Sequence, residues 1–107
     1  MKHFMAAAFA GAAAACLASQ GFSQELGDVK RGQNLAETVC AECHAVERGA
    51  PRSPNGSAPT FVTLATTPGM TSMALRVALR TSHTKMPNLV LKNHEVDDVI
   101  AYLATLK

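Results

Sequence analysis

The sequence predicts an all-α fold, on three observations. Apolar residues recur at helical spacing in three stretches, from about Asp28 to His44, Thr71 to Ser82 and His94 to Leu106. The segments between them are dense in Pro, Gly, Ser and Asn, which is loop chemistry. No period-two apolar run is long enough to make a strand.

The chain opens with a segment of a different kind. Residues 1–24 have the order of a cleaved secretory signal peptide: Lys2, an alanine-rich apolar run from Phe4 to Ala18, then small and polar residues from Ser19 to Gln24. The run is shorter than the roughly 20 residues a membrane-spanning helix needs. Cleavage is expected near Ser23 or Gln24. A retained membrane anchor is one alternative. Lipidation of Cys16, which follows a run of alanines but lacks a branched apolar residue three places before it, is another.

Cleavage leaves one domain, residues 25–107. Of the 107 residues, 48% are hydrophobic and 17% charged, an ordinary globular balance that argues against a disordered or low-complexity chain. The formal net charge of +2 falls to +1 without Lys2, too little to argue for nucleic-acid binding. Phe4, Phe9 and Phe22 leave with the signal, so Phe61 and Tyr102 are the only aromatics of the mature chain, and Cys40 and Cys43 its only cysteines. A domain this small buries a marginal fraction of its surface. With so little to fill a core, it calls for a staple, a metal or a cofactor.

In the first helix, Asp28 is placed to cap the N-terminus, and Gly32, Leu35, Ala36, Val39, Cys40 and Cys43 follow at helical intervals. Residues 49–60, GAPRSPNGSAPT, form a loop; Asn55-Gly56-Ser57 fits a glycosylation acceptor but reads first as a turn. The second helix is capped by Thr71 or Ser72. Met73, Leu75, Val77 and Leu79 give it an apolar face, with Met73 in the core, and Arg76 and Arg80 a polar stripe. A loop from Thr84 to Asn93 carries Met86-Pro87. In the last helix Val96, Val99, Ile100, Leu103 and Leu106 make the buried stripe, while Asp97 and Asp98 sit in the first turns, where the helix dipole favours acids.

The chemistry is concentrated in Cys40-Ala41-Glu42-Cys43-His44, the C-x-x-C-H pattern of c-type haem attachment. On a helix these residues fall at i, i+3 and i+4 and share one face. Two thiols so placed can form thioethers with the two vinyl groups of a haem, and the following histidine is held under the iron. Three other readings fit the motif alone. A zinc site needs four ligands, and His83 and His94 lack finger spacing. A thioredoxin-like redox pair belongs beside a βαβ pattern, which is absent. A Cys40–Cys43 disulfide is the third.

With its signal segment, helical pattern and downstream Met-Pro, the chain resembles the class I (mitochondrial-type) cytochromes c of the small bacterial periplasmic kind. The resemblance runs from about Lys30 to Lys107. Gly32 and Ala36, eight and four residues before Cys40, match where that family packs its first helix against its last, and Tyr102 in Val99-Ile100-Ala101-Tyr102-Leu103 matches the aromatic of the terminal helix. The resemblance implies three to four helices wrapped round one covalent haem c, with the terminal helices crossing. It implies attachment through Cys40 and Cys43, axial ligation by His44 and Met86, and a Pro59 carbonyl bonded to the other ring nitrogen of His44. Pro87 holds Met86 extended, as a ligand loop requires. Met70 and Met73 are the competing methionines, and His83 is a rival distal ligand. Two departures stand out. Leu91-Lys92-Asn93 replaces the family's Leu-Thr helix start, so Asn93 is expected as the cap, and the tryptophan that bonds a haem propionate in larger members is missing.

The expected function is therefore a periplasmic one-electron carrier and not an enzyme, because an iron held on both faces has no open site. Its partners are a redox donor and an acceptor protein, with membrane contact only through a partner or a lipid anchor. Two alternatives remain: a haem enzyme or a gas or peroxide sensor with a labile distal ligand, and a cytochrome subunit fixed to a periplasmic dehydrogenase. Lys85, with Arg76 and Arg80, is expected to form a basic rim facing an acidic partner.

Overall fold

Most of the helices begin where a side-chain oxygen takes over an orphaned backbone N–H. The computed structural model describes residues 26–81, 83–87 and 89–107; the export segment expected over 1–24, with Cys16, lies outside them. Within these residues run α1 (Val29–Thr38), a 3-10 turn (Cys40–Glu42), α2 (Phe61–Thr66), α3 (Ser72–Arg80) and α4 (Asn93–Ala104). There is no strand among the described residues, only an isolated antiparallel bridge between His83 and Met86. No described helix is long and apolar enough to cross a membrane.

Asp28 caps α1 by accepting from the Arg31 N–H at 2.8 Å. Thr60 caps α2 through the Thr63 N–H, and Thr71 caps α3 through the Ala74 N–H, both at 3.1 Å. At α4 the expected cap is displaced. Asn93 is the first helical residue, Lys92 takes the cap position, and the Glu95 carboxylate folds back to accept from the Lys92 N–H at 2.7 Å. The Asn93 side chain instead accepts from Arg80 Nη2 at 2.6 Å, joining α3 to α4.

Helix α1 is shorter than its periodicity suggests. It ends at Thr38, and the chain tightens over the cysteine motif, where the Cys40 carbonyl accepts from both Cys43 N–H (3.1 Å) and His44 N–H (2.9 Å). Helix α3 also stops early, at Arg80, because Thr81 is extended. Helix α2 has no counterpart in the sequence reading: six residues are too few to show a period.

The crossing of α1 and α4 centres on Gly32. A Cβ there would lie inside the Asp98 carbonyl and 3.0 Å from the Cβ of Tyr102, so only glycine admits this approach. Gly27 abuts the Asp97 carbonyl in the same way. Ala36, one turn past Gly32, is fully buried; Val96, Val99, Ile100 and Leu103 form the buried stripe of α4, and Leu106, expected in the same helix, is buried in the turn just past its end. Tyr102 donates its hydroxyl to the Val46 carbonyl at 2.7 Å, tying α4 to the loop after the cysteine motif. Burial pushes the Tyr102 phenol above its ordinary pKa. Arg48 returns the contact by donating to the Thr105 and Leu106 carbonyls at the end of α4.

Two expectations about α3 are corrected. Only Leu75 and half-buried Leu79 face inward; Met73 and Val77 are 67% and 57% exposed, because the helix meets the rest of the domain along a single edge. Arg76 is not part of a free basic rim: it donates to the Asp97 carboxylate in a half-buried ion pair.

Asp98 does more than complement the α4 dipole. It is 3% exposed, and its carboxylate accepts from the Asp28 N–H (2.7 Å), Arg31 Nε (3.0 Å) and Arg31 Nη2 (3.3 Å). The Arg31 hydrogen bonds hold its carboxyl below the ordinary range, against the opposing effect of burial.

Two outcomes follow for the folded protein. Gly32→Ala forces α1 and α4 apart and lowers the unfolding free energy by about 3 kcal/mol in denaturant titration, the upper part of the overpacking range. Asp98→Asn destabilises the protein at neutral pH. Because the folded pKa is depressed, the stability from ionised Asp98 is complete above the unfolded value of about 4 and is lost as pH falls through the folded value. The denaturation midpoints of wild type and Asp98→Asn therefore converge as pH drops below about 4.

Candidate functional site

The 3-10 turn that ends α1 presents its side chains to a cavity of about 450 Å³, within the size range of small-molecule sites. Three helices contribute wall beside the turn. Val99 and Leu103 come from α4, Leu75, Ala78 and Leu79 from α3, and Phe61 and Leu64 from α2. Cys40, Cys43, His44, Pro59 and Met86 all line this cavity, so the fold gathers on one apolar space residues up to 46 positions apart.

Cys40 is buried and Cys43 half-buried, and both are free thiols. Burial raises the Cys40 thiol above its ordinary pKa. His44 Nδ1 lies 2.6 Å from the Pro59 carbonyl. A carbonyl only accepts, so Nδ1 carries the proton and Nε2 keeps its lone pair. Such a bond fixes ring orientation and raises the basicity of the free nitrogen.

The unforeseen helix α2 is what makes this bond. Thr60 caps it directly after Pro59, and the Phe61 N–H donates to the Ala45 carbonyl at 2.8 Å, so the Pro59 carbonyl is pinned beside His44. Phe61 packs its ring 5.7 Å from the His44 ring and 6.3 Å from that of Tyr102. Phe61 and Tyr102 thus link the imidazole to the α1–α4 crossing. Sequence reading noted Phe61 only as an aromatic; its one local signal was a threonine cap following proline.

Also on the cavity wall are Met86, half-buried in the segment after α3, and Met70, half-buried before it. Met73, the third methionine considered, does not reach the cavity wall. His83 lines the cavity, but its Nε2 lies 2.9 Å from the Ala78 carbonyl. Lys85 is exposed beside Met86, at the cavity edge. Among the described residues no three His, Cys, Asp or Glu side chains gather within reach of one metal ion, so a zinc site lacks its donors.

The donor set fits haem c. Two thiols at i and i+3, an imidazole with one nitrogen engaged and the other free, and thioether sulfur share a mostly apolar cavity.

Comparison with known proteins agrees. The family model described as Cytochrome c matches residues 29–107, from the first residue of α1 to the end of the chain. No curated protein and no solved structure gives a match. The span takes in all four helices and every residue of the cavity wall, and the chain belongs to the cytochrome c family, whose members bind haem c covalently and transfer electrons.

Proposed function

We propose that this protein is an exported, periplasmic one-electron carrier, with haem c attached through Cys40 and Cys43 and its iron held between His44 and Met86. The observation that carries the reading is the convergence of two free thiols, a tautomer-fixed imidazole and a methionine on one apolar cavity. The order of residues 1–24 supports export. Family members are typically extracytoplasmic, in keeping with that order.

Bound haem c supplies a reversible ferric/ferrous couple. The chain's own residues set its conditions. Cys40 and Cys43 anchor it on the turn after α1. His44 offers Nε2 as a donor, with Pro59 holding its other nitrogen. The soft thioether of Met86 favours the ferrous state and, with His44, leaves no site for a substrate. The walls from α2, α3 and α4 exclude water, which disfavours the extra charge of the ferric state.

The outward Met73 and Val77, one turn apart on α3, favour a second reading in which the domain works docked on a larger exported redox enzyme. The electron chemistry is the same in both.

Two variants test the ligand set. Met86→His abolishes the weak far-red ferric band of methionine–iron ligation and lowers the midpoint potential by on the order of 0.1 V. Met70→Ala leaves both as in wild type. Loss of the band in Met70→Ala with retention in Met86→His would assign the sixth ligand to Met70. A high-spin wild-type spectrum that shifts readily with carbon monoxide would move the protein to the open-iron enzymes and sensors.

A further inference from the structure

The segment that carries Met86 is lightly held. Among the described residues of 83–91, one side-chain hydrogen bond reaches a helix, and it comes from His83. Its Nε2 lies 2.9 Å from the Ala78 carbonyl, one of the last carbonyls of α3. Among the described residues, that carbonyl otherwise accepts a long 3.4 Å bond from the Thr81 N–H. Because a carbonyl cannot donate, Nε2 carries the proton, and while the bond stands this nitrogen has no lone pair for a metal. His83 also faces Met86 across an isolated antiparallel bridge, with Thr84 and Lys85 as the turn between them. The residue fixed to α3 is therefore the one paired with Met86.

We propose that His83 is a positioning residue that straps the Met86 turn to the end of α3, and so sets how often the Met86 sulfur leaves the site. The inference rests on the reading of Met86 as axial ligand. Met86 gains no such hold from its own neighbour, since Pro87 has no N–H to donate. The bond also fixes the tautomer of His83: Nε2 holds the proton, and the lone pair stays on Nδ1.

The test uses the ferric holoprotein and added imidazole, which binds iron only in the fraction of molecules whose Met86 has detached. Its apparent affinity thus reads the opening equilibrium. His83→Ala removes the strap, and the apparent imidazole affinity rises about fivefold, the worth of one neutral hydrogen bond. His83→Gln, whose amide N–H can reach the same carbonyl, returns it to within about twofold of wild type. The global unfolding midpoint, followed by far-ultraviolet circular dichroism, moves little in either variant. An unchanged affinity in His83→Ala overturns the proposal, and so does a glutamine variant that behaves like alanine. A wild-type ferric spectrum without the far-red methionine band overturns the Met86 reading, and the strap with it. A band present in wild type with no response in His83→Ala overturns the strap alone.

Discussion

The structure depends on an apolar cavity that the polypeptide is too small to fill. At about 24 cal/mol per Å³ of apolar void, leaving the roughly 450 Å³ walled by the cysteine turn, α2, α3 and α4 dry and unfilled would cost up to about 10 kcal/mol, as much as the whole stability of a domain this size. Among the described residues only two phenyl-ring side chains are present, Phe61 and Tyr102, and they pack against each other beside the α1–α4 crossing. Most of the rest of the wall is aliphatic or sulfur-bearing, with His44, His83 and a few polar side chains among it. A resident planar group is therefore part of the core, and covalent attachment makes its presence permanent.

The remaining polar contacts organise the chain around that space. Gly32 brings α1 and α4 into backbone contact, and Asp98 stitches the first turn of α1 to α4 through Asp28 and Arg31. Tyr102 and Arg48 join α4 to the segment after the cysteine motif from opposite ends, one donating into that loop and one donating out of it. The Pro59 carbonyl meets His44 because α2 begins one residue later. On the methionine side, α3 meets the rest through Leu75, Leu79, the Arg76–Asp97 pair and the Arg80–Asn93 bond, and Met86 lies on a turn beyond it. In the proposed ligand set, His44 is fixed by the Pro59 carbonyl, whereas Met86 sits on a turn tied to α3 through His83, so the distal ligand is the one whose hold can vary.

Much of this was legible in the sequence for a definite reason. Thioether attachment demands a fixed spacing, so Cys40, Cys43 and His44 announce themselves, and close helix contact demands a small residue, so Gly32 and Tyr102 could be matched in advance. The unreadable parts are those set by long-range geometry. Asp98 looked like a dipole-complementing acid because its three donors lie about 70 residues away. Asn93 looked like a cap because nothing local shows that Arg80 claims its side chain. Met73 and Val77 looked buried because an amphipathic pattern does not state how wide the covering surface is. Helix α2 escaped because six residues carry no period, and with it went the role of Phe61.

The most direct measurement of the central claim is thermal unfolding, followed by far-ultraviolet circular dichroism, of the haem-free Cys40→Ala/Cys43→Ala chain beside the holoprotein. The account predicts a single cooperative transition for the holoprotein and none for the haem-free chain, whose helices cannot close over an unfilled core. A haem-free chain that unfolds cooperatively, at the temperature of the holoprotein, would contradict it and show that the polypeptide supplies its own core.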